Sequence, residues 1–124
     1  MDARYAFRVR IRLDPEAEDV TVDPATVETT CTLEAAEPGE EGWLFFRDTL
    51  WRGELGDEAY GKRLFSEKLD LEVESVEFAA LHTDEAYFEA LKSQIGDDLE
   101  PFRAETVSEV ISKYFGSSLM VEES

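Results

Sequence analysis

The 124-residue sequence contains no asparagine, one glutamine, one histidine, one cysteine and four lysines. Each scarcity closes off a class of function. Cys31 has no partner for an intramolecular disulfide, and with His82 as the lone histidine there is no Cys/His set for structural zinc. The seven glycines fall in neither the dinucleotide-binding nor the P-loop spacing, so no phosphate cradle is predicted. No apolar run approaches the ~20 residues of a membrane span, and the N-terminus lacks the apolar segment of a secretion signal. These absences predict a cytoplasmic protein with no membrane segment, metal or cofactor.

What the chain has is carboxylate. Thirty Asp and Glu against twelve Lys and Arg leave a formal charge of −18. The excess is dispersed and does not form a tail, which argues against nucleic acid and anionic membranes as partners, since both are polyanions. At 43% hydrophobic and 11% aromatic residues, the chain can still build a core, unlike a disordered acidic segment. Its length suits one domain spanning residues 1–124. An acidic, lysine-poor surface fits a cytoplasm of multimolar salt, where screening lengths fall to about 3 Å and carboxylates repel one another weakly. In dilute buffer the same coat works against the compact state.

Hydropathy patterning predicts an α+β fold: a small, mostly antiparallel sheet with helices packed on one face, in the order β-β-α-α-β-α-α with a possible last strand. Tyr5, Phe7, Val9, Ile11 and Leu13 alternate with Arg4, Ala6, Arg8, Arg10 and Arg12, the period of a strand with one buried face. Two Asp-Pro steps, at 14–15 and 23–24, mark a turn region. Val27, Thr29, Cys31, Leu33 and Ala35 then make one face of a second strand, antiparallel to the first. The segment around Trp43–Trp51 reads as a helix ended by Gly53, with a short strand as the alternative. A helix capped by Asp57 places Tyr60, Leu64 and Phe65 inward. Val76, Phe78 and Ala80 share a face of a third strand. Thr83 caps a helix carrying Tyr87, Leu91 and Ile95, with Gly96 as terminator. Thr106 and Glu109 form a capping box ahead of Val107, Val110, Ile111 and Tyr114, and Gly116 ends that helix. Residues 117–122 can close the chain as an edge strand.

Four arginines on one strand face, about 7 Å apart, repel one another unless anions lie between them. The chain can supply those anions from Glu28 and Glu34, with Arg12 opposite Glu28 and Glu34 diagonal to Arg4 and Arg8, and with Glu72 and Glu74 from a third strand. Such pairs contribute roughly 0.2–1 kcal/mol each. The alternative is that the face stays open and binds an anion through Arg8, Arg10 and Arg12, with Arg52 joining if it packs nearby. Trp43 and Trp51 form the main core contact of their segment; exposed, either becomes a hot spot for a partner. His82 is a satisfied loop residue or the base of a small hydrolase or isomerase. Cys31, mid-strand on the apolar face, is read as an inert thiol.

The block from Trp43 to Glu54, together with "RYAFRVRIRLDP" near the start and "SKYFGSS" near the end, resembles a family of small haloarchaeal proteins, the LWR-salt proteins. Their Leu-Trp-Arg step matches Leu50, Trp51 and Arg52. The resemblance implies a salt-filled archaeal cytoplasm and adds no activity, cofactor or partner. The function expected from the residues is that of a non-enzymatic accessory or interaction domain with an unknown protein partner, as a monomer or homodimer. The alternative is an anion-binding module for a phosphorylated metabolite or a nucleic-acid backbone, built on the arginine face. A hydrolase or isomerase using His82 is the third reading.

Overall fold

A computed structural model of the chain describes residues 1–13, 19–21 and 26–122. The two Asp-Pro steps lie outside the described residues. The arginine-rich alternation forms β1 (Ala3–Arg12) and the Thr-rich alternation forms β2 (Thr26–Glu34). The remaining elements are α1 (Phe45–Thr49), a minimal hairpin of β3 (Leu50–Trp51) and β4 (Glu54–Leu55), α2 (Glu58–Leu69), β5 (Val73–Asp84), α3 (Glu85–Asp97), a 3-10 turn at Glu100–Phe102, α4 (Val107–Phe115) and β6 (Leu119–Glu122). The main sheet runs β2-β1-β5-β6. Its first two pairings are antiparallel, and β6 adds to β5 in parallel. The fold is α+β with a mixed sheet.

Tyr5, Phe7, Val9 and Ile11 of β1 are buried in a single apolar cluster with Phe65 of α2, Tyr87, Leu91 and Ile95 of α3, and Val110 and Phe115 of α4. The helices thus cover the aromatic face of β1 and leave its arginine face outside. Phe46 of α1 is the hub of a second aromatic group. It stacks on Phe102 at 5.9 Å and meets Trp43, Tyr114 and Phe115 at 6.2, 5.7 and 5.0 Å. Truncating so enclosed a ring to alanine costs about 3–5 kcal/mol.

Several expectations change. The β1–β2 register sets Arg10 opposite Glu28 and Arg4 opposite Glu34, two residues away from the expected pairing. The predicted helix over Trp43–Trp51 shrinks to one turn, because Leu50 and Trp51 extend to pair with Leu55 and Glu54. The two-residue turn between them has positive φ at both Arg52 (+52°) and Gly53 (+80°), as the tight hairpin turns that match strand twist require. Tyr60 is not inward: it is 38% exposed, while Phe65 is buried. Strand β5 carries a bulge where Phe7 faces Phe78 but Ala6 faces Ala80. The extra residue moves Ala80 to the arginine side and hands the core position to Leu81. Because β6 pairs with β5 out to Asp84, the strand outruns Thr83, which is buried, and Asp84 becomes the cap of α3 by accepting from Tyr87 N–H at 2.7 Å. Gly96 lies within α3, which runs on to Asp97. At α4, Thr106 Oγ1 accepts from Glu109 N–H as predicted, while the Glu109 carboxylate accepts from Glu105 N–H.

Candidate binding face around Trp51

The arginine row is neutralised piecemeal from within the chain. Arg4 lies 3.7 Å from Asp2, Arg8 3.6 Å from Glu77, and Arg10 3.6 Å from Glu28. Glu77, not Glu72 or Glu74, supplies the third-strand partner, because the bulges of β5 set its register. Each contact is single and its partners are half to three-quarters exposed, so it contributes little in water and less in salt. Arg12 stands opposite Thr26 at the far end of the ladder.

Arg52 does not join that row. Arg8 lines a cleft of about 470 Å³ whose other charged walls are Glu54, Glu58 and Glu77. Arg52 lines a different groove of about 680 Å³ with Trp51, Arg103, Glu109, Ser112, Lys113 and Gly116. The hairpin turn is stitched to the end of α4 there: Arg52 N–H donates to Lys113 O at 2.9 Å, and Gly53 N–H to Tyr114 O at 3.0 Å. A Cβ at Gly53 would come within 2.8 Å of Phe115 O, so only glycine permits this approach.

Trp51 sits at the lip of the groove, 47% exposed. Its ring meets Tyr114 nearly edge-on at 6.2 Å. Arg52 Cζ and Lys113 Nζ each stand 5.7 Å from its centre, at cation–π range. Lys113 is anchored by donating to Phe102 O at 2.7 Å. Arg103 enters from the end of the 3-10 turn at φ +51°. Arg52 and Arg103 are two of three non-glycine residues with positive φ among the described residues, a conformation that costs on the order of 1 kcal/mol or more each. Two cations over one exposed indole, with Arg103 lining the same groove against the single carboxylate of Glu109, stand out in a chain with a charge of −18. Trp43, the other aromatic candidate, is half-buried against Phe46 and Phe102 and belongs to the core.

The sequence offered Trp51 as a partner contact and Arg52 as an addition to the β1 arginines, and it singled out neither Arg103 nor Lys113. Lys113 carried one legible signal, a cation in the last turn of a helix beside an aromatic, where the helix dipole favours positive charge. Arg103 carried none, since tertiary packing alone brings it in.

The other candidates lead away from chemistry. His82 Nδ1 is covered and lies 3.3 Å from Glu122 Oε1 across β5–β6, but the approach makes no hydrogen bond; Thr83 Oγ1 beside it is buried without a partner. His82 lines neither groove. Cys31 is half-buried at the sheet edge, and burial raises its thiol pKa, which lowers its thiolate fraction at neutral pH. Among the described residues no group of three His, Cys, Asp or Glu could hold a metal, and no helix is long and apolar enough to cross a membrane.

The fold and this face define a small α+β domain that displays a tryptophan–arginine hairpin. The chain belongs to the LWR-salt protein family, whose sequence model matches residues 1–124. The tripeptide Leu50-Trp51-Arg52 that the family name echoes here forms one side of the hairpin and its turn. No curated protein and no solved structure matches the chain.

Proposed function

We propose that this chain is a salt-adapted, non-enzymatic interaction domain of the cytoplasm that docks an acidic, partly apolar segment of a partner protein on the Trp51 face. The observation that carries the reading is the half-exposed Trp51 ring held between Arg52 and Lys113, with Arg103 across the same groove. Tryptophan and arginine dominate binding hot spots, because a flat ring loses much water-exposed area at small entropic cost and a guanidinium grips carboxylates in two places. In multimolar salt, long-range attraction is screened and contact chemistry remains. Bidentate carboxylate–arginine pairs beside a buried indole survive those conditions better than lone ion pairs do.

The arginine row on β1 supports the anion-binding alternative less well, since Arg4, Arg8 and Arg10 each already face a carboxylate of their own chain. The test is selection of displayed peptides in multimolar KCl. The expected winners pair Asp or Glu with an aliphatic or aromatic residue and bind Trp51→Ala and Arg103→Glu at least 10-fold more weakly, while Arg10→Glu leaves affinity unchanged. Winners without acidic residues, or equal affinity for the Trp51→Ala protein, would contradict the reading.

A further inference from the structure

Strand β2 forms one edge of the main sheet and pairs with no other described strand than β1. Its nine residues run against β1 without a bulge. Natural edges are usually protected by charged side chains, lysine above all, or by proline, bulges or brevity; "TVETTCTLE" has two glutamates and none of the other devices. Ala35 N–H donates to Ala3 O, continuing the β1–β2 ladder. By strand alternation, the odd-numbered residues of β2 direct their N–H and C=O groups at β1, and the even-numbered ones direct theirs outward. The core-side residues are also under-covered: Val27 is 42% exposed, Thr29 is exposed, and Cys31 and Leu33 are half-buried.

We infer that β2 pairs antiparallel with β2 of a second copy about a two-fold axis at Thr30, joining two sheets into one of eight strands. Only this register overlaps the whole strand. It sets Val27 against the second copy's Leu33, Thr29 against its Cys31, Glu28 against its Thr32 and Thr26 against its Glu34. Apolar groups meet apolar groups, and no glutamate faces another. Moving the axis one residue on, to Cys31, would oppose Glu28 to Glu34 and lose contacts. The even-numbered outward groups at 26, 28, 30, 32 and 34 would make about ten ladder hydrogen bonds. Two chains of −18 repel at long range, so the association requires screening and strengthens with salt. It is independent of the Trp51 face, which is built on the hairpin and α4.

Light scattering in multimolar KCl tests the pairing. The wild-type chain is expected at twice its 14.1 kDa mass and falls toward monomer as KCl is lowered. Thr30→Pro removes an outward N–H that β1 does not use, so it is expected to be monomeric with an unchanged circular dichroism spectrum. Thr29→Cys places a thiol opposite the second copy's Cys31 in a non-hydrogen-bonded pair, with Cα atoms about 4.5 Å apart, within disulfide reach. At alkaline pH, where the raised Cys31 thiol ionises, diamide is expected to convert it to a covalent dimer. A wild-type monomer at all concentrations in high salt overturns the inference, as does association that strengthens in low salt. If Thr30→Pro misfolds, the cross-link decides alone, and a Thr29→Cys protein that stays monomeric on non-reducing gels overturns it.

Discussion

Arg10 and Glu28 face each other across the β1–β2 ladder, with Nη2 3.6 Å from Oε2 and both side chains about half exposed. This contact shows how the chain tolerates a row of guanidiniums on one strand: Arg4, Arg8 and Arg10 are each offset locally and weakly. A double-mutant cycle on Arg10→Ala and Glu28→Ala is expected to give a coupling below about 1 kcal/mol in dilute buffer, falling to zero within error in multimolar KCl. A coupling that persists in high salt would mean that the pair is desolvated, contrary to its exposure.

Salt is expected to act more strongly on the whole than on any pair. Repulsion spread over thirty carboxylates opposes the compact state until ions screen it. Thermal unfolding followed by circular dichroism is therefore expected to show a midpoint that climbs steadily from dilute buffer to multimolar KCl. A midpoint independent of salt would remove the case for salt adaptation.

Gly53 tests the hairpin. Its φ of +80° and the 2.8 Å approach that a Cβ would make to Phe115 O leave no room for a side chain. Gly53→Ala is expected to destabilise the fold by more than about 1 kcal/mol in denaturant titrations. It would also change the near-ultraviolet signal of Trp51, since the turn loses its register against α4. An alanine variant as stable as wild type would contradict the turn geometry.

Tyr87 gives the fold an alkaline limit. Burial, reinforced by the Glu37 charge, pushes its hydroxyl up to about 12 from an ordinary 10, and the hydroxyl donates to Ala36 O at 2.6 Å. Tyr5 is raised further, mainly by burial. A folded-state pKa above the unfolded one means that the folded state holds its proton longer. The associated stability is complete below pH 10 and is lost as pH rises toward 12, by about 1.4 kcal/mol per pH unit for each tyrosine. Tyr87→Phe is expected to lower stability at neutral pH and to flatten this decline. An unchanged slope between pH 10 and 12 would contradict the assignment.

Much of the fold was legible where a period repeats. The alternation in β1 and β2 and the stripe of α4 with its Thr106 cap appear as read. What was not legible is what happens between periods. A bulge in β5 adds one residue, and nothing in "VESVEFAAL" marks where it falls. Strands of two residues, as in β3 and β4, are too short to show alternation, so Leu50 and Trp51 read as the end of a helix. The register of β1 on β2 lies two residues from the expected one: the observed pairing sets Glu28 and Glu34 each directly opposite an arginine, where the expected one does so only for Glu28. The same holds for the binding face. Trp51 and Arg52 are neighbours in sequence, but Arg103 and Lys113 reach them only because α4 and the 3-10 turn pack against the hairpin.

The proposed docking face can be probed at one atom. Protein carrying 5-fluorotryptophan gives two fluorine resonances, which Trp51→Phe assigns. On titration with an acidic, partly apolar peptide in multimolar KCl, the Trp51 resonance is expected to shift to saturation while that of Trp43 stays in place. A Trp51 resonance that does not move, or moves no more than that of Trp43, would contradict the claim that this indole and its cations are where the protein meets its partner.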